Sequence, residues 1–229
     1  MNFQNLSIVL NNPKLLLKFL LRNRNLAKFL QIDEKDVKRY FKESDKITNY
    51  IISSIKGSKV TSTMCTPLRG PIVYVCVRAL KPEIMVETGV GSGSSTTYIL
   101  HAMKLNNKGL LYSIELPNVD CDAIIPRGKQ IGWLVPEELK SRWRLILGRS
   151  QEKLPTLLQD LNSIDAFLHD SEHQYNTMIF EYQKAYAHLR ESGLLISDDV
   201  HWNNAFIDFT KKIVPKRWII FDGLGAIIK

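Results

Sequence analysis

Residues 85–96, MVETGVGSGSST, constrain the fold of this chain more than any other stretch. The apolar run Ile84 to Val86 ends in Glu87, and Gly89, Gly91 and Gly93 follow at alternate positions. Ser94-Ser-Thr-Thr-Tyr-Ile-Leu100 then predicts the start of a helix capped by hydroxyls. Strand, glycine turn and helix form the first unit of a nucleotide-binding α/β sheet. Glycine lets the chain turn tightly and lets a ligand lie against bare main chain. The free N–H groups at the helix start then face that ligand.

The glycines alone do not fix the ligand. A dinucleotide fingerprint needs G-x-G-x-x-G. Counted from Gly89 its last position is Ser94, and counted from Gly91 it is Thr96. Glu87 says more, because a carboxylate at the strand end repels a pyrophosphate and suits a cation. S-adenosylmethionine, with an amine, a sulfonium and no phosphate, meets that condition better than a nicotinamide or flavin cofactor. A second strand, Leu110 to Glu115, also ends in an acid, 28 residues after Glu87 (115 minus 87). A carboxylate there can accept both ribose hydroxyls of an adenosyl group.

The chain continues in strand–helix units. Residues 142–148 form a third strand, and Ser150 is placed to cap a helix over 150–161. Ile164 to Asp170 is a fourth strand, followed by a helix of about 16 residues. Ser192-Gly193 turns into a fifth strand from Leu194, ending at Asp198-Asp199. A helix follows over 202–214. Strands 216–221 and 224–228 are joined by Asp222-Gly223, and so tight a turn means antiparallel pairing. Between the second and third strands, residues 117–135 carry Pro117, Pro126, Gly128 and Gly132 among apolar side chains. So long a segment reads as a lid or substrate wall, with Arg127 and Lys129 toward an anionic group.

In parallel strands Asp170, Asp198 and Asp199 reach one sheet edge, the edge where α/β proteins bind ligands. Three carboxylates together call for a cation, and hard oxygen ligands suit Mg²⁺ or Ca²⁺. His173 follows Asp170 and His201 follows Asp199 within three residues, and both can serve as bases near neutral pH. His169 reads as structural, and no third soft ligand completes a zinc site with it.

From about residue 60 onward these motifs resemble the class I S-adenosylmethionine-dependent methyltransferases. The acid after the fourth strand and the acid pair after the fifth resemble the metal-dependent catechol and macrolide-sugar O-methyltransferases. The resemblance implies a Rossmann-like, seven-stranded, mostly parallel sheet with a C-terminal antiparallel hairpin and an N-terminal helical segment. It implies cofactor contacts from Glu87, Gly89, Gly91, Gly93, Ser94, Ser95, Glu115 and Asp170, with Ser150 and Gln151 at the adenine. It implies Mg²⁺ on Asp170, Asp198 and Asp199, and catalysis by His173, His201 and Asp170. In the catechol enzymes a lysine stands three residues after the first metal acid, where this chain has His173. The loop Thr63 to Arg69, ahead of a helix over 71–80, is implied to line the site.

Residues 1–60 form the expected N-terminal segment and 61–229 the methyltransferase domain. The net charge of +8 sits mostly in the first. Residues 1–60 carry 12 Lys+Arg and 5 Asp+Glu, or +7, against 19 and 18, or +1, in the rest. That asymmetry admits an RNA, protein or lipid-surface partner, but the amphipathic pattern favours a solvated helical face and a possible homodimer seam. Cys65, Cys76 and Cys121 form no C-x-x-C pair and suit a reducing cytoplasm. No apolar run reaches the ~20 residues of a membrane span. The expected function is O-methylation of a small hydroxylated molecule or sugar. The alternatives are an RNA or protein methyltransferase, a non-catalytic S-adenosylmethionine-binding module and an NAD-dependent oxidoreductase.

Overall fold

The computed structural model describes residues 13–58, 60, 69–117 and 123–229, with side chains from Leu21 onward. Seven strands form one sheet: β1 Ile84–Thr88, β2 Leu110–Glu115, β3 Trp143–Leu147, β4 Ile164–His169, β5 Leu189–Ser197, β6 Arg217–Phe221 and β7 Leu224–Ile228. Their order is β3-β2-β1-β4-β5-β7-β6. The first five strands run parallel; β7 is antiparallel to both β5 and β6. The Asp222-Gly223 turn dictates that reversal, with both residues at positive φ.

Seven α-helices are described: α1 Pro13–Leu30, α2 Glu34–Ile55, α3 Gly70–Leu80, α4 Ser94–Asn106, α5 Ser150–Leu161, α6 Tyr175–His188 and α7 Ala205–Ile213. The central strands carry apolar residues at successive positions, as in Met85-Val86, Ala166-Phe167-Leu168 and Leu194-Leu195-Ile196, because helices cover both of their faces. Alternation along a strand decides which face each side chain serves. Met85, Ala166, Leu168, Leu194 and Ile196 join the core beneath α1–α4. Val86, Phe167 and Leu195 join the core beneath α5–α7. Fully burying a side chain such as Phe167 contributes about 1.5–3 kcal/mol.

The N-terminal helices share the first core. Leu26, Phe29, Val37, Tyr40, Ile47 and Ile51 are buried in it. Polar ties fix the seam: Thr48 Oγ1 lies 2.6 Å from the Tyr98 hydroxyl, and Arg78 Nε donates to Glu43 Oε2 at 2.7 Å. No described helix is long and apolar enough to cross a membrane.

Ile47 to Ile55 continue the long helix that starts after Asp33. Two local expectations are corrected. Arg149, not Ser150, occupies the N-cap of α5, so Ser150 is already helical. And β5 begins at Leu189 rather than Leu194. Its early residues pair with Ile164 before a bulge, which absorbs Ser192 at φ 62° and Gly193.

Candidate active site

The parallel register brings the strand ends into line. Thr88 is level with Ile114 and His169, and His169 with Ser197. The ladder runs one step further through Gly89 N to Ile114 O, Asp170 N to Thr88 O and Asp198 N to His169 O, all at 2.8–2.9 Å. Glu115, the glycine turn, Asp170 and Asp198 are thereby fixed along one edge.

The glycine turn is gripped by protein on several sides. A Cβ at Gly89 would lie 2.0 Å from the Asp170 carbonyl oxygen, at Gly91 2.7 Å from Ile124, and at Gly93 2.8 Å from Gly132. Gly132 N and Leu134 N donate to Gly91 O and Ser92 O, both at 2.9 Å. The described part of the expected lid, residues 123–135, is therefore seated on the turn, and Leu134 and Val135 are buried. Arg127 and Lys129 are exposed, with Lys129 Nζ 5.6 Å from the Trp133 ring centroid. Residues 118–122, with Cys121, and residues 63–68, with Cys65, lie outside the described residues.

Glu87 corrects the sequence-based expectation of a cofactor ligand. Its carboxylate is fully buried and accepts hydrogen bonds from Ser95 Oγ (2.7 Å), Thr96 Oγ1 (2.8 Å) and Ser113 Oγ (2.7 Å). Ser95 likewise directs its hydroxyl to Glu87. Burial pushes the Glu87 carboxyl up to about 7 against the opposing pull of the three hydroxyls. This residue ties β1, β2 and the start of α4 together. Ser94, also buried, leaves its hydroxyl without a partner.

Glu115 is half-buried at the end of β2. Its Oε2 accepts from Val90 N and Gly91 N, and its Oε1 from Leu116 N, all at 2.7 Å. Beside it an open groove of about 390 Å³ is lined by Leu116, Pro117, Gly148, Arg149 and Glu152. Ser150 and Gln151 start α5 next to this groove, and Gln151 Nε2 reaches Thr177 Oγ1 at 3.4 Å.

The end of β4 carries buried acceptors with no protein partner: Asp170 Oδ1, His169 Nε2 and His173 Nε2. Burial, then the charges of Asp198 and Glu87, hold the Asp170 carboxyl well above the ordinary range. Burial and the neighbouring His169 lower the His173 imidazole, so it is neutral and able to accept a proton at pH 7. His173 Nε2 stands 4.0 Å from Asp199 Oδ2, and its ring centroid lies 5.2 Å from that of Trp202. His201 is mostly exposed, with Nε2 3.9 Å from Asp199 Oδ1. His169 confirms its structural reading through a pair that the sequence did not reveal. Its Nδ1 lies 2.6 Å from Glu181 Oε2, which also accepts from Thr88 at 2.5 Å. No local motif links His169 to a helical glutamate 12 residues later.

The expected metal set requires a second correction. Asp170, Asp198 and Asp199 do converge, but the cation among them is Arg69. Its Nη1 donates to Asp198 Oδ1 and to Asp199 Oδ1, each at 2.6 Å, and its Nε donates to Asp222 O at 3.0 Å. Burial alone would lower the Arg69 value; the bond to Asp199 and the charge of Asp198 raise it instead. Among the described residues no three His, Cys, Asp or Glu side chains are arranged to hold a metal ion. Arg69 takes one oxygen of Asp198 and one of Asp199 and already supplies a positive charge between them, so the acid pair as it stands does not fit Mg²⁺ as well.

A family model described as a methyltransferase domain matches residues 86–200, half of the chain. No curated protein matches it in sequence. Among solved structures, a Staphylococcus aureus protein assigned as a caffeoyl-CoA O-methyltransferase is 14% identical, with a TM-score of 0.59 over 86% of this chain and 100% of that one. The Streptomyces achromogenes O-methyltransferase TomG, involved in tomaymycin synthesis and solved with S-adenosylmethionine, is 16% identical. Its TM-score is 0.52, over 70% of this chain and 79% of that one. The Podospora anserina methyltransferase PaMTH1, bound to S-adenosylhomocysteine, is 17% identical, with a TM-score of 0.51 over 84% and 86%. At these identities the likeness is one of fold.

Proposed function

The chain belongs to the methyltransferase-domain family, and from that premise we propose that it is an S-adenosylmethionine-dependent O-methyltransferase acting on a hydroxyl of a small molecule or sugar. One observation carries this reading. An acidic strand end at the glycine turn and a buried imidazole with a free nitrogen share one sheet edge. Two of the similar folds were solved with S-adenosylmethionine or its demethylated product.

The residues present fit the cofactor. Asp170 Oδ1 is a buried acceptor without a partner, beside the Gly89 turn, and suits a bound cation. Such a ligand would pull the raised Asp170 value back down. When bound, S-adenosylmethionine supplies an electrophilic methyl group on a sulfonium. Glu115 at the end of β2 would hold the ribose hydroxyls, and the adjoining groove near Ser150 and Gln151 would take the adenine. His173 Nε2 accepts the proton of the acceptor hydroxyl. That nitrogen is buried and without a hydrogen-bond partner, with the Trp202 ring beside the imidazole. His201, on the open side, is placed to pass the proton outward. Aligning the reactants can lower the barrier by up to ~7–11 kcal/mol.

The test is calorimetric titration of the protein and of Glu115→Ala with S-adenosylhomocysteine. Micromolar binding to the natural chain, weakened at least tenfold in the variant, is the expected result. No heat of binding to the natural chain overturns the proposal. Binding without turnover of any hydroxylated acceptor identifies a binding module instead.

A further inference from the structure

The acid pair after β5 already holds a cation of its own, and we infer that Arg69 is a built-in replacement for a divalent ion. It is a positioning residue that makes this edge metal-independent and turns Asp199 toward the two histidines. The inference concerns the cation among the acids. It does not require S-adenosylmethionine to be the cofactor.

Three elements house the guanidinium. Arg69 is planted at the N-cap of α3, where Ile72 N and Val73 N donate to its carbonyl at 2.9 and 3.1 Å. The helix it heads is buried from Ile72 through Val77, and Pro71 in its first turn fixes the entry angle. The base of the side chain is thus held by packed structure. The side chain then crosses to the end of β5, where one nitrogen meets an oxygen from each aspartate at 2.6 Å. Asp198 is 1% exposed, Asp199 15% and Arg69 22%.

The third element is the β6–β7 turn. A Cβ at Gly223 would lie 2.8 Å from Arg69 Nη2 and 2.7 Å from His201 Nδ1. The preceding carbonyl, Asp222 O, accepts from Arg69 Nε. The guanidinium and the imidazole both pack against this glycine. The turn thus meets Arg69 through both its carbonyl and its glycine.

The consequence is chemical. Mg²⁺ demands oxygens at close to 2.0–2.1 Å in an octahedral shell. To bind, it would have to expel Arg69 and leave a largely buried charge without its partners, which is strongly unfavourable. Arg69 leaves Asp199 Oδ2 toward His173 Nε2 at 4.0 Å and holds Asp199 Oδ1 within 3.9 Å of His201 Nε2. Of the pair, Asp199 is the carboxylate that faces the two imidazoles.

Electron paramagnetic resonance titration with Mn²⁺ tests this directly, because bound and hydrated Mn²⁺ give distinct signals. The natural chain is expected to leave the hydrated signal intact at millimolar Mn²⁺. Arg69→Ala is expected to gain one Mn²⁺ site at least tenfold tighter, lost again in Arg69→Ala/Asp198→Asn. Arg69→Lys, which keeps a cation, is expected to stay metal-free. One Mn²⁺ bound per natural chain at micromolar affinity, and weakened by Asp198→Asn, overturns the inference. So does a folded Arg69→Ala that gains no site. If Arg69→Ala does not fold, the natural chain against Asp198→Asn decides the question alone. S-adenosylhomocysteine titration in EDTA is run alongside. Unchanged binding there with a Mn²⁺-binding natural chain defeats only the arginine inference, and absent binding with a metal-free chain defeats only the cofactor reading.

Discussion

Glu87 couples the stability of the sheet to pH, and its size can be worked from the site. The folded carboxyl sits at about 7 against an ordinary 4.5, because burial outweighs the bonds from Ser95, Ser113 and Thr96. In the unfolded chain the group returns to its ordinary value. Its folded value is the higher, so the folded state binds more protons between the two. The stability it confers is then complete below 4.5 and drains away as pH rises toward 7. From 4.5 to about 7 the gap corresponds to about 3 kcal/mol, at 1.36 kcal/mol for each pH unit. Glu87→Gln removes the titration while keeping one acceptor for the hydroxyl cage. Urea unfolding of both proteins from pH 5 to 8.5 isolates the effect, since every other group titrates in both. The natural chain should lose about 2–3 kcal/mol relative to the variant between pH 5 and 7.5, then run parallel to it. A stability difference that stays flat across this range refutes the argument that Glu87 is neutral at low pH in a closed cage.

Four further outcomes follow from the same geometry. Ser113→Ala removes a hydroxyl that donates to Glu87 and accepts from Trp143 Nε1 at 2.9 Å; urea titration should show a loss of about 1–3 kcal/mol, and the pH midpoint assigned to Glu87 should move upward. Gly89→Ala places a methyl group 2.0 Å from the Asp170 carbonyl at φ +85°, so it should cost at least about 3 kcal/mol or prevent folding, read by circular dichroism. His173→Gln should lower turnover by about 10²–10⁴-fold while leaving the calorimetric affinity for S-adenosylhomocysteine within twofold. In the natural enzyme the acid limb of turnover should fall below the usual imidazole range, because burial lowers His173.

Packing explains what the structure adds to the expected site. Residues 117–135 read as a wall beside the site, while the seat of 123–135 on the glycine turn depends on Ile124 and Gly132 meeting Gly91 and Gly93. The N-terminal stripes predicted helices that pack. That they share the core under β1 and β4 follows from which apolar face found which partner. Cys76 is a buried hydrophobe, with its thiol pushed up to about 12 by burial. The start of β5 was hidden because Ser192-Gly193 reads as a turn. Only pairing to β4 makes it a bulge.

Local patterning, by itself, determined the sheet and its carboxyl edge. Apolar runs, glycine turns and helical periods are short-range features, and the tight Asp222-Gly223 turn alone reverses the last strand. That placed Glu87, Glu115, Asp170, Asp198 and Asp199 at the ends of their strands before any contact was known. Tertiary structure alone decided what each carboxylate faces. Glu87 turns inward to three hydroxyls from two elements, and Glu181 reaches back from α6 to His169. Arg69 spans 129 and 130 residues to neutralise Asp198 and Asp199. The physical reason is that a buried charge is settled by its nearest counter-charge or donor in space, and separation along the chain carries no information about which residue that is.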